Sequence, residues 1–434
     1  MLVEISIENF RSIKKKVCFS LLASSDASNP RNLIQTEALK QNEKLLRCAV
    51  IYGANASGKS NVLSAFDTLK YLVVSSGKNI AEDELPYQPF KLDPNYLLQP
   101  TKFEIVFIQK NIEYVYGVAF TKEKIIEEYL YYYPKGRKAI IFERNNTNEY
   151  KFTVDKKIQT DISKQTSENV LYLSNSAQQN YSKTRETIIW FRKVLQIIGP
   201  TDRVPENITA RLLQDEKYKQ LILKALSVAD LGINDVKSSI ERTALDVVST
   251  HTFPTELKLP KGTKPGVIAF EEGKWYMESA DIKTSHKVVD ENGNQFNSIF
   301  DYGEESEGTK KMFSLIGPWI ASLIKGQILV IDELDTKLHH FLSVFLVELF
   351  QDPTQNKSNA QLIFNTHNTN LLDQELFRRD QIWFTEKNPD SGATELYSLV
   401  EFSPRKDKNI QRGYLAGRYG AIPFVTNEKI FNIT

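Results

Sequence analysis

Residues 53–61 read GANASGKSN and satisfy in full the spacing G-x-x-x-x-G-K-S/T, with Gly53, Gly58, Lys59 and Ser60 at the fixed positions. That spacing suits the holding of a polyphosphate. A phosphate chain carries several negative charges, and backbone N–H groups can surround it only where side chains do not intervene. Gly53, Ala54, Ala56, Ser57 and Gly58 meet that condition. Lys59 supplies a point charge for the β- and γ-phosphates, and the Ser60 hydroxyl suits Mg2+. A second constellation lies in QILVIDELD, where Asp332 and Glu333 follow an apolar run. At a strand end Asp332 can hold Mg2+ through water, while Glu333, facing elsewhere, can activate an attacking water. The plainer readings are a glycine turn and an acidic helix start near Thr336. The joint occurrence of both motifs favours phosphate chemistry. No N-K-x-D stretch occurs, since TEKNPD (385–390) has the wrong order, so ATP is favoured over GTP.

Those groups need a strand, a turn and a helix to hold them. The apolar AVIY before Gly53 predicts a strand, and the periodic segment after Ser60 predicts a helix. Residues 2–10 alternate, and KVCFSLL (16–22) predicts a pairing strand after a basic turn at Lys14–Lys16. Between about 100 and 145, short aromatic and β-branched segments predict an antiparallel meander. TRETIIWFRKVLQII and KYKQLILKALSVADLGI make 184–230 read as helical, whereas 235–300 is mixed. In the last third, helix and strand alternate. EGTKKMFSLIGPWIASLI predicts a helix kinked near Pro318, QILVI and QLIFN predict buried strands, and TKLHHFLSVFLVELF predicts a helix between them. Ser306 and Gly308 begin the first of these helices, and taken alone Ser306 is an ordinary N-cap.

The chain has 434 residues, 41% hydrophobic and 25% charged, enough to bury a sizeable core. With 55 basic against 54 acidic residues, overall charge makes no case for nucleic acid. Only Cys18 and Cys48 occur, which fits a reducing cytoplasm better than a disulfide framework. No run approaches the roughly 20 apolar residues of a membrane span.

The motifs together resemble the ABC-type ATPases of the SMC/RecF kind. IENFRSI is similar to their N-terminal strand and Asn-Phe-Arg turn, and GANASGKSN to their phosphate loop, which adds Asn55 and Asn61 to the nucleotide contacts. ESEGTKK resembles their signature segment, with Ser306 and Gly308. ILVIDELD resembles the strand carrying the metal-binding Asp332 and catalytic Glu333, followed by Asp335 of the D-loop. LIFNTHN resembles the switch histidine, His367. The resemblance implies that Ser306 caps the γ-phosphate of ATP held by a second subunit, so that ATP and Mg2+ are enclosed in a homodimer or higher oligomer. Glu305 and Thr309 depart from the usual signature, so this role follows from order and spacing. A Q-loop glutamine is also implied: Gln178 or its neighbour Gln179 before the helical region, with Gln88 in LPYQPF as the weaker option. Arg11 is a further candidate to approach phosphate.

DELDTKLHH, RRDQIWFTEK and YLAGRYGAIP narrow the resemblance to compact ATPases of phage-defence and abortive-infection systems, such as the RloA-like proteins and the PARIS system ATPase. This implies a sensor of a phage-encoded trigger that controls a separately encoded effector or toxin, for instance a nuclease. The expected fold is an α/β P-loop ATPase head, a mixed sheet with flanking helices plus the meander. Lobes 1–183 and 301–434 would form the core, with a mainly helical lobe, 184–300, inserted. Three other readings compete. A serine hydrolase would use Ser306, Asp332 and His367, but Gly303–Ser306–Gly308 has one residue too many for a nucleophile elbow. A fused nuclease would show an acidic metal cluster after His367, and His339–His340 is a poor metal pair. A DNA-clamping repair ATPase would share the core, but Lys14–Lys16, TKPGV (263–267) and Arg378–Arg379 are short.

Overall fold

The computed structural model describes residues 1–199, 206–229, 231–245, 266–271, 274–372, 376–403 and 409–423. Lys264 of TKPGV lies outside them. The first elements are β1 (Leu2–Glu8), β2 (Val17–Ser20), β3 (Leu33–Ile34), β4 (Leu45–Leu46), β5 (Cys48–Gly53) and α1 (Lys59–Ser75). There follow β6 (Thr101–Gln109), β7 (Ile112–Phe120), β8 (Ile125–Tyr132), β9 (Ala139–Asn145), β10 (Glu149–Phe152), α2 (Lys156–Lys164), α3 (Tyr172–Gln178), α4 (Arg185–Ile189) and β11 (Leu195–Ile198). Next come α5 (Asn207–Leu212), α6 (Glu216–Val228), β12 (Ile233–Ala244), β13 (Val267–Glu271), β14 (Lys274–Val289) and β15 (Gln295–Asp301). The last are α7 (Glu307–Lys325), β16 (Ile328–Ile331), α8 (His340–Gln351), β17 (Gln361–Asn365), β18 (Ile382–Lys387), β19 (Thr394–Ser398) and α9 (Ile410–Leu415). The chain divides into two compact units, Met1–Leu195 with Ile363–Thr434, and Gln196–Leu362. Among the described residues no helix is long and apolar enough to cross a membrane.

The first unit contains an antiparallel sheet in the order β10-β9-β8-β7-β6-β1-β2, which includes the expected meander. In its second sheet β5 lies between β17 and β18, parallel to β18, and β18 forms a hairpin with β19. All six residues of β5 are buried, as a continuous apolar run demands of a strand covered on both faces. Helix α1 buries Val62, Phe66, Leu69 and Val73, a stripe at helical spacing. Burial of each such side chain stabilises by about 1.5–3 kcal/mol.

One buried carboxylate fixes where α3 packs. Glu128 accepts the N–H groups of Tyr172 (2.7 Å) and Leu173 (3.0 Å) at the start of α3 and the Tyr116 hydroxyl (3.0 Å). Arg144, equally buried, lies 3.8 Å from it. Burial pushes the Glu128 carboxyl up, against the downward pull of Arg144 and the two backbone N–H groups. Ser174, on α3, donates to the Val73 carbonyl near the C-terminal end of α1 at 2.8 Å.

In the second unit β16 lies beside β11. Leu195–Ile198, expected in a helix, is therefore strand β11: sheet pairing overrides local propensity. A separate sheet places β12 on one side of β14, with β13 and β15 along the other. The mainly helical lobe expected over 184–300 is thus corrected, since most of its described residues after Ile233 are strand. Residues 235–300 read as mixed because strands such as INDVKSSIERTA of β12 are largely polar and show no strict apolar alternation.

Helix α7 runs through Pro318, which cannot donate to the Ser314 carbonyl. The Thr209 hydroxyl reaches that carbonyl at 3.3 Å and the Phe313 carbonyl at 2.8 Å, and it accepts the Gly317 N–H at 3.2 Å. Glycine is needed there, because a Cβ on residue 317 would lie 2.4 Å from the hydroxyl. Helix α8 starts at His340, later than the sequence implied, because His339 caps it by accepting the Phe341 N–H at 3.3 Å.

Glu128→Ala leaves two buried N–H groups and a tyrosine hydroxyl without their acceptor and removes the buried carboxylate that faces Arg144. The expected loss is about 3–5 kcal/mol, read as a lowered midpoint in denaturant unfolding. A wild-type midpoint would contradict the role given to Glu128.

Candidate functional site

Strand β5 delivers Gly53 to a turn that ends at Gly58, the N-cap of α1. Gly58 has φ +110°, and a Cβ there would lie 2.1 Å from Thr394 Oγ1, so only glycine fits. Ala56 also takes a left-handed conformation, φ +61°. The buried Lys59 folds back, its Nζ donating to the carbonyls of Gly53 (2.8 Å) and Ala54 (3.1 Å). Ser60 and Asn61 sit half-buried in the first turn of a 17-residue helix whose start carries no side-chain cap. Early N–H groups, a helix dipole and an ammonium thus converge, an arrangement suited to anions.

Hydroxyl groups surround the loop. Ser57 Oγ bonds Thr385 Oγ1 at 2.6 Å, Thr394 Oγ1 donates to the Ser57 carbonyl at 2.8 Å, and Thr394 Oγ1 bonds Ser12 Oγ at 2.7 Å. Asn61 Nδ2 donates to Ser12 Oγ at 2.6 Å. Ser57 therefore serves the site through its backbone, with its hydroxyl engaged inward. Sequence reading did not single out Ser12, Thr385 or Thr394.

The glutamine assignment changes. Gln178 donates to the Gly77 carbonyl at 2.7 Å, just past the C-terminal end of α1. A helix of 17 residues is about 25 Å long, so Gln178 stands a helix length from Lys59. The Glu128 and Ser174 contacts that dock α3 there are the cause. Gln88 sits at the correct end. Its side chain accepts from Arg11 Nε at 2.7 Å, and its carbonyl accepts the Arg11 N–H at 2.7 Å. Arg11 Nη1 donates to Ser64 Oγ at 2.8 Å, which in turn donates to the Ser60 carbonyl at 2.7 Å.

On the other flank of the loop a cleft of about 590 Å3 is lined by Gly53, Asn55, Ser57, His367, Tyr414 and Ile422. His367 is exposed just after β17 and lines the same cleft as Gly53 and Asn55. The Tyr52 hydroxyl donates to the Asn368 carbonyl at 3.2 Å and so ties the residue before Gly53 to the histidine turn. Tyr414, whose ring lies 5.8 Å from that of Tyr52, has its hydroxyl pushed up to about 12 by burial.

Asp332, Glu333, Asp335, Ser306 and Gly308 belong to the second unit. Asp332 follows β16 and donates its backbone N–H to the Ile198 carbonyl at 3.3 Å. Glu333 has φ +57°, a strained conformation for a non-glycine residue of the kind that clusters at functional sites. Its carboxylate accepts from Thr336 Oγ1 at 3.3 Å. Ser306 caps α7, accepting the Thr309 N–H at 3.1 Å. Its hydroxyl neighbour is Thr309, at 2.8 Å, not a histidine as a hydrolase would require. Glu307 pairs with Lys337 at 3.1 Å, and this contact holds its carboxyl below the usual range. It also links the start of α7 to the turn after Asp335.

Among the described residues, the basic stretches are engaged with acidic partners. Arg378 is fully buried on Asp380 (2.7 Å), Arg379 pairs with Asp26 (3.3 Å), Lys14 with Asp93 (2.8 Å) and Lys16 with Glu104 (3.5 Å). Among the described residues no group of three or more His, Cys, Asp or Glu is placed to hold a metal by itself.

Gly58→Ala forces a Cβ into Thr394 and into a disfavoured φ. The expected outcome is loss of binding to a fluorescent ATP analogue with far-UV circular dichroism retained. Wild-type affinity would contradict the geometry.

Residues 48–373 match the model of a family described as AAA domain, putative AbiEii toxin, Type IV TA system. A comparison with curated proteins gives no match. Among solved structures, the SMC head domain from Thermotoga maritima is 14% identical, with a TM-score of 0.39, 92% of this chain and 98% of that chain being covered. A Smc head with an extended coiled coil, bound to the C-terminal domain of ScpA derived from Pyrococcus furiosus, is 12% identical, with a TM-score of 0.35 and coverage of 93% and 97%. The family match takes in the phosphate loop, Ser306, Asp332, Glu333 and His367 and spans most of the sequence, and so the chain belongs to the AAA family that carries the AbiEii description.

Proposed function

We propose that this chain binds ATP with Mg2+, hydrolyses it, and closes as a homodimer or higher oligomer around the nucleotide. The observation that carries the reading is the phosphate loop: a full motif in which Gly58 admits no side chain and the Lys59 ammonium is aimed at the loop's own carbonyls. The core is drawn from 1–183 and 301–434, with 184–300 inserted. Gly53, Asn55, Ser57, Gly58 and Lys59 hold the phosphates, and Asn61 steadies the first turn. Gln88, beside Arg11 at the loop end of α1, takes the glutamine role in place of Gln178. Ser60 and Asp332 would hold Mg2+, which supplies charge neutralisation of the phosphates. Glu333 takes a proton from water as its oxygen attacks the γ-phosphorus and the bond to the β–γ bridging oxygen breaks, giving ADP and phosphate. His367 senses the γ-phosphate. Ser306, Gly308 and Asp335 act across the dimer, on nucleotide held by the partner.

The biological reading follows the family description and the resemblance to RloA-like and PARIS-type ATPases. The chain senses a phage-encoded trigger in the bacterial cytoplasm and controls a separately encoded effector, such as a nuclease. The free thiols Cys18 and Cys48 fit that compartment.

Native mass with and without ATP tests the assembly. Wild type is expected to gain mass with ATP, Lys59→Ala to remain at the starting mass, and Glu333→Gln to stay in the larger form. Turnover of Glu333→Gln should fall by roughly 100- to 10,000-fold. Unchanged turnover, or an ATP-independent mass in every variant, would refute the assignment.

A further inference from the structure

We propose that Thr394 is a positioning residue that sets the shape of the phosphate loop from the side, a role resting on the nucleotide reading above. Thr394 opens β19, far from the loop in sequence, yet it is buried against it with only 4% of its surface exposed. Two independent observations converge on it. Its side chain fills the space that a Cβ on Gly58 would need, with Oγ1 at 2.1 Å and Cγ2 at 2.7 Å from that position. Its hydroxyl also links the loop to the Asn-Phe-Arg-Ser turn.

The proton directions in this link are determined. A carbonyl only accepts, so the single Thr394 hydroxyl proton goes to the Ser57 carbonyl, 2.8 Å away. The 2.7 Å contact between Ser12 Oγ and Thr394 Oγ1 must then have Ser12 as donor. Ser12 Oγ in turn accepts from Asn61 Nδ2 at 2.6 Å. A second bond, from the Thr394 N–H to the Ser12 carbonyl at 2.7 Å, locks the same two residues together. The relay runs Asn61 to Ser12 to Thr394 to the Ser57 carbonyl. It clasps the peptide before Gly58 from one side and the first turn of α1 from the other. With the Ser57 carbonyl held by Thr394, the Ser57–Gly58 peptide cannot rotate freely. Its N–H therefore keeps the direction that an anion at the loop requires, before any anion arrives.

Thr394→Val keeps the bulk against Gly58 and removes the hydroxyl, which leaves the Ser57 carbonyl and the Ser12 proton unpartnered. The expected result is a roughly 10- to 100-fold rise in the Kd for a fluorescent ATP analogue, carried in KM more than in kcat, with Thr394→Ser restoring affinity. Hydrogen exchange of the loop amides, measured on the protein without nucleotide, should quicken in Thr394→Val and in Ser12→Ala. Unchanged exchange in both variants would overturn the inference whatever the protein binds. If wild type binds ATP and Thr394→Val binds it equally well, the inference also fails while the nucleotide reading stands. If wild type does not bind ATP, the nucleotide reading fails, and only the exchange result bears on Thr394.

Discussion

A loop of backbone N–H groups can face an anion only if its shape is held by contacts that leave those groups uncovered. Here the holding is done by close packing against Gly58. The hairpin β18–β19 presses a threonine to within 2.1 Å of where a side chain at that position would begin. That approach dictates glycine at residue 58, orients the start of α1 and brings Lys59 over the loop carbonyls. Strand β5, buried throughout, is the rigid support behind it, and β18 lies parallel beside it to present Thr385 and then Thr394. The Asn-Phe-Arg-Ser turn completes the enclosure from the N-terminal sheet.

The second unit carries the acidic pair. Asp332 and Glu333 follow a short buried strand, and the turn that follows is irregular, with left-handed residues at Glu333 and Lys337. A carboxylate held in a strained backbone conformation is restricted in where it can point. The start of α7 is tied to the same turn through Glu307 and Lys337. Ser306 and Asp335 thus flank the two ends of one surface ion pair within the same unit.

Much of this was legible in the residues, and the exceptions share a cause. The β5–loop–α1 unit, β16 with Asp332 and β17 with His367 are local: an apolar run followed by a motif within a few positions. Gln178 was misplaced because sequence order before a helical region does not reveal which end of α1 the next helix meets. The buried Glu128 and Ser174 decide that. Ser12 and Thr394 stand 382 residues apart in sequence, and no local pattern announces a hydroxyl pair at that separation. The β12–β15 sheet lies in the segment read as mixed, because β12 is largely polar and shows no strict alternation even though Met277 and Ile282 of β14 are buried.

The central claim is that one copy grips the triphosphate and another seals it. Mixing two inactive variants, Lys59→Ala and Ser306→Arg, tests this most directly. Each homodimer has two defective sites. A mixed dimer has one site with both defects and one with an intact Lys59 facing an intact Ser306. The account expects ATP hydrolysis to reappear on mixing. A mixture as inactive as its components, formed under conditions where subunits are shown to exchange, would contradict it.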